Sequence, residues 1–238
     1  MFFRPLPALT VAVAVLLAVL IGLGTWQLQR LSWKLALIGQ VNRNTAAAPL
    51  TLDRALALGP EAQYRRVTLH GRFDNAREFY LFATGDGAQV FHVIAPFRTG
   101  DGRILLVDRG IVPSALRDPD TRKAGLIEGE TAVTGLWHLE EMPGAFTPPP
   151  DANKRIWYVR NTGGMARLDH MMLAAPVTVD ADATPVPGGW PKGGRTVVAF
   201  RNEHLQYAIT WYLMAVALLG VYLAYHVSTG RLGLTRKD

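Results

Sequence analysis

ALTVAVAVLLAVLIGLG, residues 8–24, and AITWYLMAVALLGVYLAYHV, residues 208–227, decide how the rest of the chain is read. Neither stretch holds an Asp, Glu, Lys or Arg, and the first has one hydroxyl, Thr10. A helix crosses the hydrocarbon of a bilayer with about 20 apolar residues, in a range of roughly 17–25. The second stretch meets that length; the first meets its lower edge, or more once Leu6 or Leu28 is included. The hydrophobic fraction of 49% over 238 residues would suit a soluble protein, but its concentration in two blocks does not. The expected class is a membrane protein, with two transmembrane α-helices flanking a β-rich α+β domain outside the cytoplasm. The expected divisions are a tail at 1–7, a first span at 8–28, the domain at 29–203, a second span at 204–227 and a tail at 228–238.

The first block has two readings. Arg4 ahead of it and the small residues Gly22-Leu23-Gly24 behind it fit a cleaved signal peptide. Helix-forming residues continue past that point, with no Gly or Pro over 25–38, and Trp26 and Trp33 suit a membrane interface. A retained anchor is the favoured reading. No Arg- and Ser-rich leader precedes it, which argues against a mitochondrial precursor. Ala14, Ala18 and Gly22 repeat every four residues, and with Ala208 and Ala215 they predict a close helix–helix contact. Two spans put both tails on one side, and the cytoplasm is the expected side because Arg4, Arg231, Arg236 and Lys237 lie there.

The formal charge of +6 collects partly at those tails, which suits anionic lipid and not a nucleic-acid binder with a basic stripe. The absence of cysteine excludes disulfides, thiolate zinc sites, iron–sulfur clusters, Cys-based copper delivery and thioether-linked haem. Between the spans, Thr51 and Gly59 bracket a short helix at 52–58. Strand patterns follow at 67–70, 78–82, 90–97, 103–112, 131–139, 155–160, 177–180 and 196–200, with a helix expected at 165–173. Thr99-Gly100-Asp101-Gly102 and Gly85-Asp86-Gly87 read as hairpin turns.

No phosphate loop, HExxH motif or calcium loop occurs, and the six histidines are dispersed. Ser114, His92 and Asp108 are the residues of an imaginable triad without supporting spacing. The tails are too short to fold into an output domain. The unusual residues gather where the spans leave the membrane. His204, Ala208, Trp211 and Ala215 share one face of the second span; Gly22, Trp26, Gln29 and Trp33 share one face of the first. One reading is an ordinary aromatic belt. The other is an aromatic-lined cleft with an imidazole at its mouth, suited to a planar lipophilic ligand such as haem.

At these residues the chain resembles the surfeit-locus-one family of cytochrome c oxidase assembly factors. The resemblance rests on Gly24, Trp26, Gln27, Arg30, Trp33 and Lys34 at the end of the first span, and on Asn202, His204, Tyr207, Ala208, Thr210 and Trp211 at the start of the second. Gly71-Arg72-Phe73, Pro96-Phe97 and Arg109, Gly110, Val112 and Pro113 extend it across the middle. Ile111 and Asn161 depart from it, where the family often has Trp and Asp. The resemblance implies a multi-pass protein of a bacterial inner membrane with a periplasmic domain, no enzyme, and a part in delivering haem a to oxidase subunit I. It implies haem a synthase, subunit I and the lipid bilayer as partners, with no nucleic acid. It also implies His204 as candidate axial ligand of the haem iron; Tyr207, Trp211 and Trp26 are the residues expected to border the cofactor in the aromatic cleft. A cofactor-free chaperone of an oxidase subunit and a membrane-tethered envelope enzyme are the rival readings.

Overall fold

The computed structural model describes residues 2–85, 87–196 and 202–233. In chain order they form β1 (Phe2–Phe3), α1 (Pro7–Ala46), α2 (Leu52–Leu58), β2 (Arg66–Phe73), β3 (Phe79–Gly85), β4 (Ala88–Thr99), β5 (Ile104–Pro113), β6 (Thr131–Leu139), β7 (Ile156–Trp157), α3 (Thr162–Leu168), β8 (Leu173–Ala181), α4 (His204–Ser228) and β9 (Leu232–Gly233). They divide into two units, Met1–Gln40 with Ala199–Asp238, and Val41–Val198.

The second unit is a ring of strands. Its order is β2-β6-β8-β5-β4-β3-β7, and β4 also pairs with β2. The long β4 makes this closure. Along one edge its first half pairs with β3, Ala88 opposite Gly85 through Ile94 opposite Phe79, and its last residues pair with β2, Phe97 opposite Phe73 and Thr99 opposite Gly71. Its other edge pairs with β5. The strands β2, β6, β8, β5 and β4 therefore close on themselves, which removes the free edges of an open sheet. Gly71 permits the closure: a Cβ there would collide with the carbonyl oxygen of Arg98.

Strand alternation sends one set of side chains into the ring. Val67, Leu69, Phe97, Leu105, Val107, Val133, Trp137, Val177 and Val179 form that core, and Leu52 and Ala55 of α2 join it. On the other face of β5, Leu106 joins Phe79, Leu81, Ile94, Trp157 and Met165. Burying side chains of this size stabilises by about 1.5–3 kcal/mol each, so the two faces of β4 and β5 hold this unit together. The helix 52–58 and its cap form as the sequence predicts, with the Thr51 hydroxyl accepting from Arg54 N–H at 3.4 Å.

Two expected elements shift. The helix expected at 165–173 is α3, Thr162–Leu168, because the Asn161 side chain accepts the Gly164 N–H at 2.6 Å and starts it earlier. It ends before Leu173, which pairs with Ile104 as the start of β8. The strand expected at 155–160 shrinks to β7, since Arg160 turns its side chain into a buried cluster of carboxylates. The strand expected at 196–200, apart from Thr196, lies outside the described residues, as do Asp86 of the second turn and the basic residues Arg236 and Lys237.

The first unit is the helix pair. Both helices are long and apolar enough to cross a membrane. Thr10, Val13, Leu17, Leu20, Gly24 and Gln27, alternating by three and four residues, are among the covered positions of α1; His204, Ala208, Trp211, Ala215, Leu218, Tyr222 and His226 are among those of α4. That spacing is the 3.5-residue period of two helices in sustained contact. Val11, Val15, Val19, Leu213, Val216 and Val221 are exposed on the remaining surface, an apolar exterior that suits hydrocarbon and not water. The expected small face of the first span is corrected. Ala14, Ala18 and Gly22 are exposed, and a Cβ on Gly22 would meet nothing within 4 Å. The close approach falls at Gly24, where a Cβ would stand 2.8 Å from Cζ of Tyr212. A strict four-residue repeat drifts off a contact that follows a 3.5-residue period. Ala208 and Ala215 do lie at the contact. Beyond the helix ends, β1 pairs with β9, Phe3 opposite Leu232.

Candidate functional site

His204 opens α4 and is half-buried. Its Nδ1–H donates to Oε1 of Gln27 on α1 at 2.8 Å. A neutral imidazole that donates from Nδ1 keeps its lone pair on Nε2, and a carbonyl that accepts from Nδ1–H in this way orients the ring of many metal-ligating histidines. Two turns further along α4, the Tyr212 hydroxyl meets the Thr25 hydroxyl at 3.1 Å, with its ring against Gly24. Gln27 and Gly24 belong to the motif that carries the family resemblance, with no role evident for either in the sequence. Their signal was their place in the three-four spacing that begins at Thr10.

The other expected site residues are distributed around this junction. Trp211 is half-buried on the same face of α4 as His204. Tyr207 is 51% exposed and Trp26 is 50% exposed. The Trp26 ring lies on the uncovered surface of α1, with the Arg30 guanidinium 6.0 Å from its centroid. Gly22, Gln29 and Trp33 share that uncovered face, so the face that the sequence reading picked for the first span is its free one.

His226 is the other imidazole of α4. It has the same tautomer, with Nδ1–H donating to the Tyr222 carbonyl at 2.9 Å and Nε2 without a partner. It differs in access. His226 is wholly buried, between the rings of Phe3 at 5.4 Å and Tyr222 at 4.2 Å. The 22 residues from His204 to His226 span about 33 Å at roughly 1.5 Å per residue, so the two cannot serve one cofactor. Among the described residues no group of three or more His, Asp or Glu is placed to hold a metal ion. A metal at His204 would therefore need most of its donors from elsewhere, as haem iron has from its macrocycle.

In the β domain the quoted motifs converge on the ring closure. Phe73 packs edge-on against Phe97 with centroids 4.9 Å apart, and the Arg109 guanidinium lies 4.5 Å over the Phe73 ring. Arg109 and Arg122 share the buried carboxylate of Glu78, at 3.5 Å and 3.2 Å from their Nη1 atoms. Burial, opposed by Glu78 and reinforced by Arg122, lowers the Arg109 pKa to about 10. Burial and Glu78 push the Tyr80 hydroxyl up to about 12. These residues tie the turns at 75–77 and 119–125 to the ring, a structural task.

A second buried polar row crosses β4, β5, β8 and β6. His92 Nδ1–H donates to Asp108 at 2.8 Å, and His138 Nδ1–H donates to Asp180 at 2.8 Å. Arg160 bridges the two carboxylates from one Nη1, at 2.9 and 3.0 Å. Burial opposes charge on His92, but the facing Asp108 carboxylate outweighs it and raises the imidazole pKa. Burial is likewise outweighed at Asp108, where His92 and Arg160 hold the carboxyl well below its usual range. Of the imagined triad the His–Asp half is present, but the Ser114 hydroxyl is turned to Gln89, at 3.3 and 3.4 Å.

The chain thus combines a pair of helices long and apolar enough to cross a membrane with a closed β-ring domain, and it carries a tautomer-fixed imidazole where the two helices meet. The comparisons make the assignment specific. The SURF1 family profile matches residues 14–216. The chain is 37% identical over 214 residues to Surfeit locus protein 1 of Takifugu rubripes, covering 82% of this chain and 88% of that protein. It is 37% identical over 217 residues to Surfeit locus protein 1 of Homo sapiens, covering 82% and 70%. A SURF1-like protein of Drosophila melanogaster is 32% identical over 215 residues, covering 82% and 70%. The chain belongs to the SURF1 family.

Proposed function

We propose that this chain is a non-catalytic assembly factor for an aa3-type haem–copper cytochrome c oxidase, one that holds haem a at the α1–α4 junction for delivery to subunit I. Haem a synthase is the supplying partner. The protein spans a bacterial inner membrane twice, with both tails in the cytoplasm and the β-ring domain in the periplasm. Membership of the SURF1 family supports the general role, and Arg4 and Arg231 at the tail ends of the helices support the orientation.

The observation that carries the haem reading is the hydrogen bond from His204 to Gln27. The residues present suit the group. Gln27 fixes the ring orientation and tautomer, and half-burial leaves Nε2 approachable where the fully buried His226 is not. Tyr207 and Trp211 offer an aromatic border within a turn or two of His204. Trp26 enters only as the neighbour of Gln27, since its ring is engaged with Arg30. Haem a when bound would supply the iron; His204 would hold it, Gln27 would set the orientation of that ring, and Tyr207 and Trp211 would give it an apolar surrounding. An envelope hydrolase is disfavoured because Ser114 makes no bond to His92.

The test is the visible spectrum of the full chain purified from cells that make haem a. The wild type carries haem absorption and His204→Ala loses it while still inserting in the membrane; His226→Ala retains it. Full haem in His204→Ala would overturn the ligand assignment, and a colourless wild type would leave the cofactor-free chaperone.

A further inference from the structure

We propose that Trp26, Arg30 and Trp33 form a binding site for the phosphate of an anionic phospholipid on the outward face of α1. The three residues stand at i, i+4 and i+7, one stripe of the helix. The Arg30 guanidinium carbon is 6.0 Å from the Trp26 ring centroid and 5.0 Å from that of Trp33, so the cation is held between two indoles. Both indoles are exposed, by 50% and 56%. This stripe begins where the uncharged stretch 8–24 has ended, at the level where a spanning helix leaves hydrocarbon for headgroups.

The charge is what asks for a ligand. Ring faces attract the cation but do not neutralise it. Among the described residues Arg30 has no carboxylate within ion-pair distance, unlike Arg66, Arg77, Arg103 and Arg155 in the β domain, each of which faces an Asp. A guanidinium presents a planar fork of donors that matches two phosphate oxygens, and its stacking on the indoles holds that fork in place at little further entropy cost. An anionic lipid meets every side of the site at once: its phosphate faces Arg30, its glycerol region faces the indoles, and its chains run along Val15, Val19 and their neighbours. A free phosphate would meet only the first. The site does not depend on the haem proposal, since His204 bonds Gln27 on the covered side of the same helix.

Native mass spectrometry of the full chain tests this, on protein made without haem a synthesis so that the two proposals fail separately. Wild type should retain phosphatidylglycerol in preference to phosphatidylcholine, and Arg30→Gln should weaken phosphatidylglycerol retention roughly fivefold, the loss expected for one basic residue at a membrane surface. Arg54→Gln, which removes the same charge from α2 in the β domain, should leave retention unchanged. Trp26→Leu with Trp33→Leu should fall between, because the charge remains and its stacking is lost. Inorganic phosphate should not displace the lipid. Equal retention by Arg30→Gln and wild type, no preference of wild type for phosphatidylglycerol, or displacement by inorganic phosphate would each overturn the site.

Discussion

At the residue scale the Asp108 carboxylate shows how this protein uses a buried charge. It is almost fully enclosed, yet it takes hydrogen bonds from His92, Arg160 and the Gly110 backbone. Removing one partner of such a group is costly because the other stays buried and uncompensated. The two partners make opposite pH demands. The pKa of His92 is raised by folding, so its contribution is fully present below the unfolded value of about 6.5 and is lost as pH rises through the folded value. The pKa of Asp108 is lowered, so its contribution is present above about 3.9 and is lost as pH falls through the folded value. The thermal midpoint of wild type should therefore exceed that of His92→Gln at pH 6 and approach it at pH 8.5. A contribution of about 1 kcal/mol corresponds to roughly 2–4 °C in a chain of this size. A difference that stays constant across that range, followed by tryptophan fluorescence, would show that His92 binds Asp108 without titrating. Of this row the sequence suggested only His92 with Asp108, in a triad without supporting spacing; His138, Asp180 and Arg160 gave no signal, because the four His and Asp residues lie on four different strands and meet only through the strand order.

At the scale of the element, the helix pair was legible in existence but not in facing. Two uncharged stretches announce two helices, whereas a stretch apolar on every side does not say which side is covered. Ala14, Ala18 and Gly22 made an attractive repeat, and the contact runs instead through Gly24. Gly24→Leu should lower the thermal midpoint of the full chain in detergent, since overpacking a contact costs about 1–3 kcal/mol. Gly22→Leu should leave it nearly unchanged. Equal losses at both positions would return the contact to the Ala14 face. The β-ring gives the complementary lesson. Local signals marked the strands and the turn at Thr99-Gly100-Asp101-Gly102, because alternation and glycine act over a few residues. The closure of β4 on β2 left no such trace, since its partners are over twenty residues apart and only the glycine at 71 marks the crowding.

At the scale of the whole molecule, the family and its junction motifs were readable because they are contiguous in the chain. The chemistry that gives them meaning was not, because Gln27 and His204 are 177 residues apart and their hydrogen bond exists only once α1 and α4 are side by side. That bond is also where the account can be broken most directly. His204→Gly, purified as the full chain from cells that make haem a, should lack the haem absorption of the wild type. Imidazole added during purification should restore it by occupying the vacated place beside Gln27 as the missing ligand. Full haem absorption in His204→Gly without imidazole would contradict the claim that His204 holds the iron.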